Sequence, residues 1–241
     1  MKGSHWNRKI LAWACGAALF AGMSLATVAD PPQHKKKKHE QPHAQKLKQD
    51  RKHYDQRLTM YRHYLDQQQK FHQQRLAQLQ KKKRMAQYRY QQQYLARMLQ
   101  LHKRYENAWL HDYQQDPFFQ TAFDRRYNRG GTYYETNRYG IEHLQQATQY
   151  GYAEGFQAGM ADRQDRWRAA YELSDVYQDA NYGFNGYTVS QDDYSYYFRE
   201  GFRRGYEDGY NKRYQYGRYA NGNYTLLDTI LAAIIPFEML R

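Results

Sequence analysis

Lys81, Lys82, Lys83 and Arg84 stand consecutively in the chain, with Arg75, Arg89, Arg97, Lys103 and Arg104 on either side. From Gln67 to Tyr105 there are ten Lys or Arg and no Asp or Glu. Cations at that density bind anions. Tyr88, Tyr90 and Tyr94 are interleaved with them, and basic side chains mixed with rings are what holds single-stranded nucleic acid. The same mixture attracts an anionic lipid or polysaccharide surface. Charge patterning does not separate these partners, and the competing reading is a solvated charged face with no specific ligand.

Carboxylates form a second set. "YAEGFQAGMAD" (152–162) and "FREGFRRGYED" (198–208) share the frame E-G-F-x-x-G-x-x-D. Its acids are Glu154, Asp162, Glu200 and Asp208. Gathered together they would suit a hard cation such as Ca²⁺, although a loop of closely spaced Asp and Asn is missing. Ion pairing with Arg163, Arg199 and Arg203 is the simpler use for them.

Other chemistry is sparsely represented. There is no phosphate-cradling Gly-Lys-Ser/Thr loop, no Gly-x-Ser-x-Gly elbow and no His-Glu-x-x-His. Beyond residue 29 the serines are Ser174, Ser190 and Ser195, none with a histidine nearby in sequence. His34, His39 and His43 suit a transition metal, but four lysines between the first two oppose a cation. The expectation is a protein without enzymatic activity, cofactor, metal or small-molecule substrate.

The elements that position these groups follow from composition and spacing. From about Ala44 to Tyr113 there is no Pro and no Gly, and Gln, Lys, Arg, Leu, Met and Ala dominate, all good helix formers. Leu47, Tyr54, Leu58, Tyr61 and Leu65 make a narrow apolar seam, as do Tyr94, Met98, Leu101 and Tyr105, with Gln68, His72 and Arg75 interrupting between. This predicts one long basic helix, coiled-coil-like, or two with a soft middle.

Gly151, Gly155 and Gly159 lie four apart, as do Gly201, Gly205 and Gly209. An interior glycine costs a helix about 1 kcal/mol relative to Ala, so three per helix require a use. A glycine row lets two backbones approach closely. The expected fold class is therefore mainly α: the basic helix plus a small Tyr/Gly-rich module built on a glycine-seam helix pair. An antiparallel hairpin would set Glu154 near Asp208 and Asp162 near Glu200. Tyr152, Phe156 and Met160 flank one row, and Phe198, Phe202, Tyr206 and Tyr210 the other. With 27 tyrosines in 241 residues, the core must be aromatic, and its hydroxyls need partners.

The repeated frame, with "REGFRRGYEDGY" around the second copy, resembles bacterial secreted proteins rich in Tyr, Gly and Arg that have no assigned activity. The likeness covers about 149–217 and not the basic helix. It implies an exported, glycine-seam helical module and transfers no functional residues.

Charge divides the chain. Residues 30–116 carry 20 Lys/Arg against 8 Asp/Glu, whereas residues 117–241 carry 14 against 16. Lys2, Arg8 and Lys9 precede an uncharged run, Ile10 to Ala29, that ends in small residues, as an export signal does. The expected plan is a signal over 1–29 cleaved after Ala26 or Ala29, a disordered basic and His-containing tail over 30–43, the basic helix over 44–116, the module over 117–224 and an apolar C-terminal helix over 225–241. An uncleaved anchor over 10–29 is the alternative. Cys15, the sole cysteine, lies in this first segment, so no disulfide framework is available. The functional expectation is an exported, periplasmic or secreted envelope protein whose basic helix contacts an anionic polymer or lipid, with self-association or a protein partner through the module. Nucleic-acid binding by the same helix, or a tyrosine-rich scaffold, are the alternatives.

Overall fold

The computed structural model describes residues 42–106 and 115–240. The export-signal and tail expectations for residues 1–41 lie outside them. Residues 40–241 form one compact unit, so Asp116–Pro117, expected as a domain boundary, lies inside it. Among the described residues the architecture is mainly helical, with two small antiparallel sheets.

The basic region is two helices, α1 (Pro42–Lys81) and α2 (Met85–Glu106), folded back on each other. Pro42 and His43, expected in the tail, begin α1. The break falls in the middle of the lysine cluster. Arg84 N–H donates to the Leu79 carbonyl at 2.9 Å, and Lys83 takes a left-handed conformation with φ 55°. This is the Schellman ending of a helix. The start of α2 is then fixed from far along the chain: the Asp165 carboxylate accepts from Ala86 N–H at 2.8 Å and Gln87 N–H at 2.9 Å. A carboxylate on the free N–H groups of a helix N-terminus supplies both hydrogen bonds and favourable charge.

After the short helix α3 (Pro117–Gln120) come strands β1 (Arg125–Arg129) and β2 (Thr132–Thr136), joined through Gly130 and Gly131. Both glycines have positive φ, 57° and 90°, the requirement of a tight hairpin turn. α4 (Arg138–Gln164) carries the first repeat and α6 (Gln191–Asn211) the second, with the short helix α5 (Asp175–Asp179) between. The hairpin of β3 (Gly217–Ala220) and β4 (Asn223–Leu226), then α7 (Asp228–Ile234) and β5 (Phe237–Met239), complete the fold. β5 pairs with β1, so the C-terminal segment is strand, short helix and strand rather than one helix.

The two glycine rows face each other. A Cβ on Gly151, Gly155 or Gly159 would meet the carbonyl oxygen of Phe198, Phe202 or Tyr206 at 2.0–2.3 Å. One on Gly201, Gly205 or Gly209 would meet that of Thr148, Tyr152 or Phe156 at 2.0 Å. Partners rise together along both helices, so α4 and α6 run parallel, not as the expected antiparallel hairpin. The connection over 165–190 makes the return. The expected acid pairings fail for the same reason: parallel packing sets like positions of the two repeats side by side.

Around the seam the core is aromatic. Phe198, Phe202, Tyr206 and Tyr210 stack successively along α6, with ring centroids 6.0–6.3 Å apart. The hydroxyls find acceptors: Tyr94 on Asp179 at 3.0 Å, Tyr194 on the Tyr182 carbonyl at 2.6 Å and Tyr210 on the Trp167 carbonyl at 2.8 Å.

Candidate functional site

The anion-binding candidates separate into two groups. Arg75, Arg84 and Arg97 are turned inward. Arg97 Nη2 bonds both oxygens of Glu154 at 2.8 Å, Arg75 Nε lies 3.0 Å from Asp175 Oδ2, and Arg84 pairs with Asp162. The Arg84 guanidinium also lies 4.4 Å from the centre of the Trp167 ring. Burial raises the carboxyl pKa values of Glu154, Asp162 and Asp175, and the facing arginines oppose that rise. These three arginines hold the basic hairpin to the module. The space among Arg75, Arg84, Gln87, Asp162, Trp167 and Asp175 is about 10 Å³, room for about one water, so an external polyanion does not enter between Arg75 and Arg84.

Lys81, Lys82, Lys83, Arg89 and Lys103 are exposed. Arg104 belongs to α2, but its side chain lies outside the described residues. Two of the three tyrosines of the expected nucleic-acid surface are not on the surface: Tyr88 is half-buried, but Tyr90 and Tyr94 are buried, with Tyr90 donating to Glu154 and Tyr94 to Asp179. Neither ring is free to stack on a base.

The structure adds residues that counting charge by segment missed. The Asp165 bonds to α2 and the Arg84–Trp167 contact bring residues 165–168 beside the α1–α2 turn. Arg166 and Arg168 are exposed there. Lys81, Lys82, Lys83, Arg89, Arg166 and Arg168 thus define one basic corner. Its neighbouring carboxylates are engaged: Asp162 with Arg84 and Tyr206, Asp165 with the start of α2, and Asp175 with Arg75. Glu172 is the exposed acid of the segment 165–174. The only advance signal was "DRWRAA" (165–170), a basic–aromatic patch at the end of the first repeat helix.

A backbone feature marks the same corner. Arg166, at φ 55°, ends α4 as Lys83 ends α1, with Trp167 N–H donating to the Asp162 carbonyl at 2.8 Å. Lys212, at φ 53°, ends α6 in the same way. This position is usually Gly, because a side chain in the left-handed region costs about 1–2 kcal/mol. Here three helix ends carry a cation at that position.

The repeat acids do not gather. Glu154 meets Arg97, Asp162 meets Arg84 and Tyr206, and Glu200 pairs with Arg203 and Arg204 on its own helix. Asp208 accepts from Tyr152 at 2.9 Å and from Gln215 and Tyr216 N–H. Arg163 donates to the Tyr210 carbonyl and Arg199 to those of Tyr177 and Gln178. Among the described residues no group of three His, Cys, Asp or Glu is placed to hold a metal ion. Ser190 is a helix cap, accepting from Asp193 N–H at 3.1 Å, and Ser174 and Ser195 are buried.

No protein-family model matches the chain, and no curated protein or solved structure matches it significantly. No helix among the described residues is long and apolar enough to cross a membrane.

Proposed function

We propose that the chain is an exported, non-enzymatic, envelope-associated interaction protein that holds an anionic polymer or lipid surface at the α1–α2 corner. The observation that carries this reading is the basic corner itself, six exposed cations whose neighbouring carboxylates are mostly engaged elsewhere. Lys83 and Arg166 add weight. A cation at a helix C-terminus gains about 0.3–1 kcal/mol, less than the about 1–2 kcal/mol of the left-handed backbone, so local stability does not account for them. The charged, Gly- and Pro-free run that supplies the hairpin follows an apolar leader-like segment, which favours envelope polymers over nucleic acid as partner, as does the burial of Tyr90 and Tyr94.

The test uses the full chain, since α2 takes its first hydrogen bonds from Asp165. Cell fractionation with intact mass should recover a species beginning at Thr27 or Asp30 outside the cytoplasm. Its binding to an acidic polysaccharide or to anionic vesicles should fall steeply with salt and be lost in the Lys82→Glu/Lys83→Glu variant. A full-length cytoplasmic protein that prefers DNA in competition would replace this reading with the nucleic-acid one.

A further inference from the structure

The parallel course of α4 and α6 brings both helix C-termini to one end of the module. A groove of about 500 Å³ opens there, lined by Phe156, Met160, Arg163, Gln164, Lys212 and Tyr214. Sites for small ligands run from about 300 to 1,000 Å³. The geometry points to a second anion site in this groove, which we propose takes a hexuronate unit of an acidic polysaccharide. The proposal rests on the envelope-polymer reading only for the chain in which that sugar would occur; the groove shares no residue with the basic corner.

Three observations select the ligand. The first is a supported ring. Tyr214 stacks on Phe156 at 5.3 Å and 18°, and Phe156 stacks on Tyr224 at 3.9 Å and 19°. Phe156 is 2% exposed and Tyr214 53%, so the stack is anchored in the core and ends in a ring with an open face. One face accepts one flat apolar surface, such as the C–H face of a pyranose. Single-stranded nucleic acid engages several rings in succession, and among the described residues of this lining one aromatic, Tyr214, is exposed.

The second is charge. Each helix end contributes about half a negative charge, so the two ends sum to about −1. Arg163 and Lys212 contribute two positive charges against it. Among the described residues the lining contains no carboxylate, and none pairs with either cation. The balance favours a ligand of single negative charge per unit, as a hexuronate is. Arg163 is also held: its Nη1 donates to the Tyr210 carbonyl at 2.8 Å, which fixes a planar fork suited to a carboxylate.

The third is the polar rim. Gln164, Arg163 and Lys212 are three of the six described lining residues, and their polar ends suit a ring of hydroxyls. Lys212 keeps the left-handed backbone described above, a strain that placing a cation at this mouth would account for.

The experiment is calorimetric titration of the full chain with a glucuronate tetrasaccharide, its neutral glucose counterpart and a short single-stranded oligonucleotide. The expected result is measurable binding of the glucuronate alone. Tyr214→Ala and Arg163→Gln/Lys212→Gln should each weaken it by about tenfold or more, the first by loss of a stacking contact and the second by loss of two cations. Tyr214→Phe, which keeps the ring, should retain binding and guards against a folding artefact. Lys82→Glu/Lys83→Glu should leave tetrasaccharide affinity within about twofold even where long-polymer binding is lost, which separates failure of the groove from failure of the corner. Unchanged affinity in both groove variants, equal binding of the glucose tetrasaccharide, or preference for the oligonucleotide would each overturn the proposal.

Discussion

Tyr206, in the second repeat, donates its hydroxyl to the buried carboxylate of Asp162, the last residue of the first repeat, at 2.6 Å. The relation is returned from the other side, Tyr152 donating to Asp208 at 2.9 Å. Each repeat therefore ends on an acid that the opposite helix satisfies. Burial raises the Asp162 carboxyl pKa, and the Tyr206 bond lowers it. Removing the hydroxyl takes a partner from a buried charge-bearing group, which costs about 1–3 kcal/mol. Tyr206→Phe and Tyr152→Phe should each lose about that much in urea unfolding with an unchanged slope. A loss below about 0.5 kcal/mol in both would mean that the cross-bonds do not hold the repeats together.

The glycine seam should tolerate not even a methyl group. A Cβ on Gly155 would stand 2.1 Å from the Phe202 carbonyl oxygen and 2.9 Å from its Cα, and backbone cannot swing aside as a side chain does. Gly155→Ala and Gly205→Ala should each cost more than about 3 kcal/mol, the upper range for overpacking. Gln157→Leu, half-buried on the same helix, should change stability by less than about 1 kcal/mol. Equal melting temperatures for the three variants would contradict the close approach.

Lys83 and Arg166 set stability against binding. Glycine at either position relieves the left-handed strain, and Lys83→Gly or Arg166→Gly should raise stability by about 0.5–1 kcal/mol. Both should weaken polyanion binding, with a shallower salt dependence as one charge is removed. Gain of stability with unaltered binding would show that the cations are placed for the helix ends alone.

Acidification should weaken the fold through His143. Its ring lies against Tyr194 at 4.8 Å, and Asn185 N–H points to its Nε2 at 3.4 Å. Burial lowers its pKa from 6.5 to about 4. Between those values the unfolded chain takes up the proton first, so stability falls as pH drops. The total is about 3 kcal/mol at about 1.4 kcal/mol per pH unit. Glu154, Asp162 and Asp175 act oppositely, since burial raises their pKa values and protonation then favours the folded chain. The comparison of wild type with His143→Gln isolates the histidine: the variant should lose less stability between pH 7 and pH 4.5. Parallel pH curves would rule that out.

The glycine rows were legible because four-residue spacing of an unfavourable helix residue has few uses. Their direction was not, since rows of glycine meet equally well in parallel and antiparallel pairs. Connection length held the clue. Antiparallel helix neighbours are usually joined by about 2–8 residues, whereas residues 165–190 separate α4 from α6. The hairpin turns at Gly130–Gly131 and Asn221–Gly222 were likewise present as signals, but the short strands around them were masked by tyrosine and arginine, which also suit loops. The break at Lys82–Arg84 had no local signal. No Gly or Pro stands there, and the bend is imposed by partners in the module, Asp162, Asp165 and Trp167. For the same reason three of the nine basic candidates proved to be internal ties: one-dimensional charge does not distinguish a cation facing solvent from one facing a buried carboxylate.

The capping of α2 by Asp165 gives the chain an order in time. Ala86 and the residue that satisfies it are 79 positions apart. At about 5–20 residues per second of synthesis, the instruction for where α2 begins arrives about 4–16 s after Ala86 itself. Over that interval the basic surface of α2 is without the partners that later fold it back. The first half of the protein is thus finished by the second, and whatever first meets the nascent basic segment meets it unpaired.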